Sequence, residues 1–199
     1  MQENKTIEYY NKNAQSYYDS TCCLNLESIY KPFLDLIPSK KAIILDAGCG
    51  SGRDTKAFIK KGYNVIAFEG SSELALLAEE FTEQFILNQT FDEIDFFPNT
   101  FDGIWACASL LHIPRKYIDR IIDKLVDCLC NNGVFYLSFK YGNKEENIED
   151  RFFNSYTEES FGQLLTKHPN LSIISMCKTE DTTRDDVFWL DILLRKNYE

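Results

Sequence analysis

Asp46, three alternating glycines and Glu69 are the residues of this 199-residue chain whose types and spacing first suggest chemistry. Gly48, Gly50 and Gly52 follow the apolar run Ile43-Ile44-Leu45 and the acid that closes it, Asp46; Arg53 and Asp54 then open a helical stretch. A strand, a glycine loop and a helix in that order form the unit by which an open α/β sheet receives a nucleotide-like ligand. Each glycine can take a positive φ, or let a ligand touch backbone where a Cβ would collide. A phosphate-binding P-loop requires GxxxxGK[ST], but the fifth residue after Gly48 is Arg53. The dinucleotide fingerprint GxGxxG needs its third glycine at that same position, so the GxGxG present here receives no pyrophosphate. Arg53 has two readings: a partner for a ligand carboxylate or substrate anion, or an ion pair with a neighbouring acid such as Asp54. His112, in Ser-Leu-Leu-His-Ile-Pro, also has two: a general base, or an imidazole that hydrogen-bonds backbone and positions its loop.

The elements that must position these residues alternate along the chain. Ile7, Tyr10, Ala14 and Tyr17 predict a helix over 4–19, and Leu26, Ile29, Tyr30, Phe33, Leu34 and Ile37 predict one over 25–37, ended by Pro38. Both precede the first strand, so they are free to cover the carboxyl ends of the strands, with Tyr17 and Tyr10 either meeting the ligand or anchoring the helices. Strands are expected at 42–46, 64–68, 85–88, 103–108 and 134–140, with helices at 53–61, from Ser72 as N-cap, and at 115–130 between them. Residues 141–156 read as a loop or short helix over the strand ends, followed by a helix to about 167. Two last strands, 171–177 and 187–195, have no helix between them and should pair antiparallel. The sum is one α/β domain over 1–199, residues 1–40 its helical lid and 41–199 its core, with seven strands in a mostly parallel sheet.

Composition narrows the partners. A net charge of −10 argues against a broad nucleic-acid footprint, which needs clustered cations, and against anionic membranes. The seven cysteines are odd in number and include no CxxC; with two histidines they predict no metal site. Cys49, Cys107 and Cys177 are expected in or beside core strands, and His168, before Pro169, at the surface. No signal core or membrane-length apolar run is present, so a reduced, cytoplasmic protein is expected.

Leu45-Asp46-Ala47-Gly48-Cys49-Gly50-Ser51-Gly52 resembles the first motif of the class I S-adenosylmethionine-dependent methyltransferases. The resemblance runs from about Tyr9 to Trp189. It includes Glu69 ending strand two, Phe101-Asp102-Gly103-Ile104 leading into strand four, Asn131-Asn132-Gly133-Val134 turning into strand five, and the antiparallel finish. It implies a Rossmann-like fold, S-adenosylmethionine as cofactor and S-adenosylhomocysteine as product. It places Gly48, Cys49 and Gly50 against the methionine and ribose, Asp46 near the sulfonium and ammonium, and Glu69 on both ribose hydroxyls. Gly70 and Ser71 would flank the adenine, Thr90 and Phe91 would contact its edge, with Asp92 or Glu93 as substitutes, and Tyr17, Arg53 and Ala108 would complete the cofactor wall. Tyr10, Lys140, Tyr141 and Arg151, with Phe153 and Trp189, are candidates for the substrate wall. Similarity is greatest to compact enzymes acting on small metabolites or metalloid oxyanions, tellurite-resistance methyltransferases among them. A transfer RNA wobble-type methyltransferase needing a partner, or a catalytically silent binding module, are the alternatives. Neither the acceptor atom nor the oligomeric state is legible.

Overall fold

The computed structural model describes residues 2–181 and 183–198. Its first segments are α1 (Gln2–Lys12), α2 (Ala14–Thr21) and α3 (Glu27–Leu34). The sheet then builds through β1 (Ile43–Ala47), α4 (Arg53–Lys60), β2 (Asn64–Glu69), α5 (Ser72–Thr82), β3 (Leu87–Asn88), β4 (Phe101–Ala106), α6 (Arg115–Cys128) and β5 (Leu129–Lys140). It closes with β6 (Glu145–Ile148), β7 (Arg151–Asn154), α7 (Glu158–Leu165), β8 (Leu171–Glu180) and β9 (Phe188–Lys196).

Seven strands lie in the order β3-β2-β1-β4-β5-β9-β8, with β9 antiparallel to both neighbours. Strand side chains alternate between faces, and the cores follow. Leu45, Ile104 and Phe135 pack under α6 and α7, while Ile44, Trp105, Val134 and Tyr136 pack under α3 and α4. The order runs one way from β1 to β3 and the other way from β4, so the crevice opens between β1 and β4 at their carboxyl ends. The glycine loop leaves β1 there and Glu69 ends β2 beside it.

Six sequence expectations are corrected. The helix over 4–19 is broken at Asn13, whose amide donates to the Tyr9 carbonyl (2.8 Å) and competes with the helix ladder. The helix at 25–37 is no lid: Tyr30 and Phe33 of α3 join Phe58 and Trp105 in an aromatic cluster, and a Cβ on Gly103 would meet Phe33 at 2.8 Å. The cover is therefore α1 and α2 alone. Residues 141–156 hold the β6–β7 hairpin rather than a loop or helix. Asn131-Asn132-Gly133 do not precede β5 but bulge within it, where Phe101 and Gly103 face Leu129 and Val134. Cys177 is exposed on the edge strand β8, not in the core. His168 is buried, its Nδ1 2.9 Å from Asp123 of α6, because the turn after α7 folds it inward.

Candidate active site

A cavity of about 930 Å³, partly open to solvent, lies over the carboxyl ends of β1, β2 and β4. Its floor is the glycine loop. Gly48, Gly50 and Gly52 all have positive φ (77°, 55° and 75°), a backbone that other residues adopt only with strain. Their outer faces differ: a Cβ on Gly48 would strike Ser109 at 2.7 Å and one on Gly52 would strike Thr82 at 2.8 Å, so those two are fixed by packing. Gly50 faces the cavity, where a Cβ would come within 3.3 Å of the Tyr17 ring. Tyr17 of α2 thus roofs the loop, and burial pushes its phenol up to about 12.

Glu69 is buried in the cavity wall, its Oε2 accepting the Gly50 N–H (2.9 Å) and its Oε1 the Ser71 N–H (2.8 Å). Those two bonds aim the carboxylate while each oxygen keeps accepting capacity. Burial raises its pKa and the backbone N–H groups oppose the rise. Across the same wall, Gln89 follows β3, and its Nε2 is buried without a partner. An aimed acceptor pair beside an orphan donor fits the hydroxyls and heterocycle edge of a nucleoside, and among the described residues no side chain or backbone group meets the Gln89 donor. Thr90 and Phe91 line the cavity, but the Thr90 hydroxyl is engaged with Glu93 (2.9 Å) in a capping box. Asp92 is paired with Arg120 outside. Gly70, Cys49 and Ala108 are also in the wall; Ala108 sits at φ 51° with its N–H donated to Ser138 Oγ (2.9 Å).

Two expected cofactor residues stand elsewhere. Asp46 is buried beneath the loop and accepts from Thr55 Oγ1 at 2.6 Å, outside the cavity lining. Burial, then the charge of Asp54, pushes its pKa up to about 8, which favours the protonated form beneath the loop. Ser71 caps α5, accepting from Leu74 N and donating to Asn11 Oδ1 (2.7 Å), which fixes α1 to α5. The N-cap is thus Ser71 and not Ser72, because Ser71 keeps the extended backbone of a cap.

Arg53 and Asp54 both reach the cavity and pair with each other (Nε–Oδ1 2.6 Å, Nη2–Oδ2 2.9 Å). Asp54 also accepts from Tyr30 (2.5 Å) and Trp105 (2.8 Å); burial raises its pKa, but the Arg53 charge and the hydrogen bonds from Arg53, Tyr30 and Trp105 together outweigh it and hold the carboxyl below its ordinary value. The ion-pair reading of Arg53 is the one the geometry shows.

His112, leaving β4, bonds through Nδ1 to the Phe152 carbonyl (2.7 Å) and through Nε2 to the Tyr10 hydroxyl (2.9 Å). A carbonyl only accepts, so Nδ1 carries the proton and Tyr10 donates to Nε2. Burial drives the imidazole pKa down to about 4 and the Tyr10 phenol far up. Both residues line the cavity. Lys140, Tyr141 and Arg151 do not; Tyr141 bonds to Glu158 (2.8 Å), and Trp189 to Asp181 (2.9 Å), because β5 and β9 carry them past the crevice. Gln89 and Phe152 were missed. Gln89 has no motif, and Phe152 acts through backbone, which a sequence does not display.

A family model described as a methyltransferase domain matches residues 44–133, from β1 through the crevice to the bulge in β5. No curated protein sequence matches the chain. Among solved structures, a Burkholderia thailandensis 1,6-didemethyltoxoflavin-N1-methyltransferase, with 1,6-didemethyltoxoflavin and S-adenosylhomocysteine bound, is similar over 92% of this chain and 85% of its own, at TM-score 0.69 and 23% identity. Magnesium protoporphyrin IX methyltransferase from Synechocystis PCC 6803, with S-adenosylmethionine bound, is similar over 99% and 98% at TM-score 0.76 and 13% identity. The methyltransferase component of a Haloferax volcanii complex with the Trm112 activator is similar over 98% and 97% at TM-score 0.75 and 14% identity. These likenesses show the fold, and the family match covers the loop and the strands that shape the crevice. The chain has the Rossmann-like fold of the S-adenosylmethionine-dependent methyltransferases, and its residues 44–133 match the methyltransferase domain model.

Proposed function

We propose that this enzyme methylates a small-molecule acceptor, held between the cofactor and the Tyr10–His112 pair, and that the whole chain, 1–199, works as one domain in a reducing compartment such as the cytoplasm. The observation that carries the reading is the roof. Thr6, Ile7, Tyr10, Tyr17 and Thr21 of α1 and α2 cover the cavity, and a covered cavity suits a compact acceptor better than a polymer. The net charge of −10 and the seven free cysteines support the same reading.

In this account Glu69 and Gln89 hold the nucleoside, Gly50, Cys49 and Gly70 form its bed, and Thr90, Phe91 and Ala108 close the wall. S-adenosylmethionine supplies a methyl group on a positively charged sulfur. The protein's task is to position the acceptor and exclude water, which the α1–α2 roof does. His112 holds Tyr10 with its hydroxyl proton directed to Nε2, leaving the phenol oxygen free to accept from an acceptor O–H or N–H. A proton leaving the acceptor then passes to Tyr10 as Tyr10 yields its own to His112.

Incubation with labelled cofactor and a metabolite extract or transfer RNA tests the reading. Label in the small-molecule fraction is expected; label confined to RNA would contradict it. The second reading is a transfer RNA methyltransferase needing a partner; the Haloferax volcanii neighbour, in complex with a methyltransferase activator, supports the need for a partner, and an arm with added activator protein tests it.

A further inference from the structure

In a chain of net charge −10, four cations converge where β5 ends against the β6–β7 hairpin. Three have carboxylates: Lys144 with Glu146 (2.7 Å), Arg151 with Glu149 (3.0 Å) and Arg184 with Asp181 (2.5 Å). Lys140 has none within ion-pair distance among the described residues. Its ammonium lies 3.8 Å from the centre of the Phe153 ring. Arg151 lies over the same ring at 5.4 Å and over Tyr9 at 4.5 Å, and its Nε is buried with no acceptor. Burial and the charges of Arg184 and Arg151 hold the Lys140 ammonium below its ordinary range.

An unpaired ammonium among like charges and, beside it, a guanidinium N–H left without an acceptor although Glu149 takes the other side of the fork would both be met by an anionic oxygen. The aromatic rings fix the guanidinium plane, which preorganises its fork for a planar carboxylate or a phosphate. The place connects to the active site: the Phe153 and His112 ring centres are 5.0 Å apart, and His112 holds Tyr10 at the cavity wall. The Arg151 charge also acts on the Tyr10 hydroxyl. We propose that the methyl acceptor is an anionic small molecule whose carboxylate or phosphate is held by Arg151 and Lys140 above Phe153, with its nucleophilic atom turned toward Tyr10 and His112. This rests on the small-molecule reading and adds the acceptor's charge to it.

The test uses the full-length protein saturated with S-adenosylhomocysteine and titrates benzoate, phenyl phosphate and neutral benzyl alcohol as probes. One of the anions should bind at millimolar concentration, and which binds more tightly identifies the group. Benzyl alcohol should bind at least about tenfold more weakly. Lys140→Gln and Arg151→Gln should each weaken the preferred anion by about tenfold or more and leave S-adenosylhomocysteine affinity unchanged. Lys178→Gln, an exposed cation stacked on Tyr141 and Phe188, should change nothing. The inference is overturned if neither anion binds, if benzyl alcohol matches them, or if Lys140→Gln binds the anion as wild type does. Since Arg151→Gln could disturb the hairpin, Lys140→Gln alone decides. In the labelled-cofactor assay, label on neutral or cationic metabolites only would overturn this inference and leave the small-molecule reading standing; label on RNA would overturn that reading.

Discussion

Asp46 and His112 are shifted in opposite directions for one reason, burial of a charge without enough compensation. Asp46 rises to about 8 and His112 falls to about 4, which favours the uncharged form of both at neutrality. For Asp46 the folded value lies above the unfolded carboxylate value of about 3.9. Its contribution to stability is therefore complete below that value and is lost as pH rises through about 8. Asp46→Asn keeps the neutral form at every pH. Thermal melts between about pH 5 and 9 should show wild type losing stability relative to this variant as pH rises; parallel curves would mean the carboxyl is already ionised at pH 5. For His112 the consequence is mechanistic. Neutral at rest, it accepts the Tyr10 hydrogen bond and in turnover the Tyr10 proton, so the two should fail together. Tyr10→Phe and His112→Ala are each expected to lower kcat by on the order of 10²-fold, with the double variant no slower than either. Multiplicative losses would separate their roles.

The β6–β7 hairpin ties the cover to the chemistry. The Phe152 N–H donates to Thr6 Oγ1 of α1 (3.0 Å) while its carbonyl fixes the His112 tautomer (2.7 Å). Arg115 of α6 holds the hairpin through Asn154 (2.9 Å), Asn143 (2.7 Å) and the Ser155 carbonyl (2.7 Å). Arg115→Ala should lower stability by about 1–3 kcal/mol and raise KM for the acceptor, with cofactor affinity unchanged; denaturant melts and calorimetry check the two halves. The hairpin was not legible in the sequence because its strands are only four residues each and β6 is polar, and Glu149 and Asp150 make the turn at positive φ (50° and 64°) without the usual Asn or Gly. The sheet was legible because Ile43–Leu45, Gly103–Ala106 and Val134–Phe139 are apolar runs whose order implies parallel strands. The cover was half legible: the helical spacing of Tyr10 and Tyr17 showed, but the break rests on a local bond from the Asn13 side chain to the Tyr9 carbonyl, and the burial of α3 on tertiary contact with Trp105. At the site, the glycine pattern and Glu69 read directly. Asp46 did not, since nothing in the sequence shows that Thr55 takes its carboxyl.

Over the molecule as a whole, negative charge and a covered crevice point the same way. An electrostatic footprint for RNA needs several cations facing outward together, and the cations near the crevice are largely paired with Glu146, Glu149 and Asp181. Transfer RNA added alone at physiological salt should therefore show no saturable binding in a filter or mobility assay; tight binding would contradict the charge argument. Beneath that lies the claim on which the rest depends, that Glu69 holds the cofactor's nucleoside in this cavity. Isothermal titration of S-adenosylhomocysteine into wild type and Glu69→Ala tests it. Wild type should bind, and the variant should lose about 1–3 kcal/mol of affinity while keeping its fold. No binding by wild type at millimolar cofactor, or equal affinity in the variant, would contradict the account.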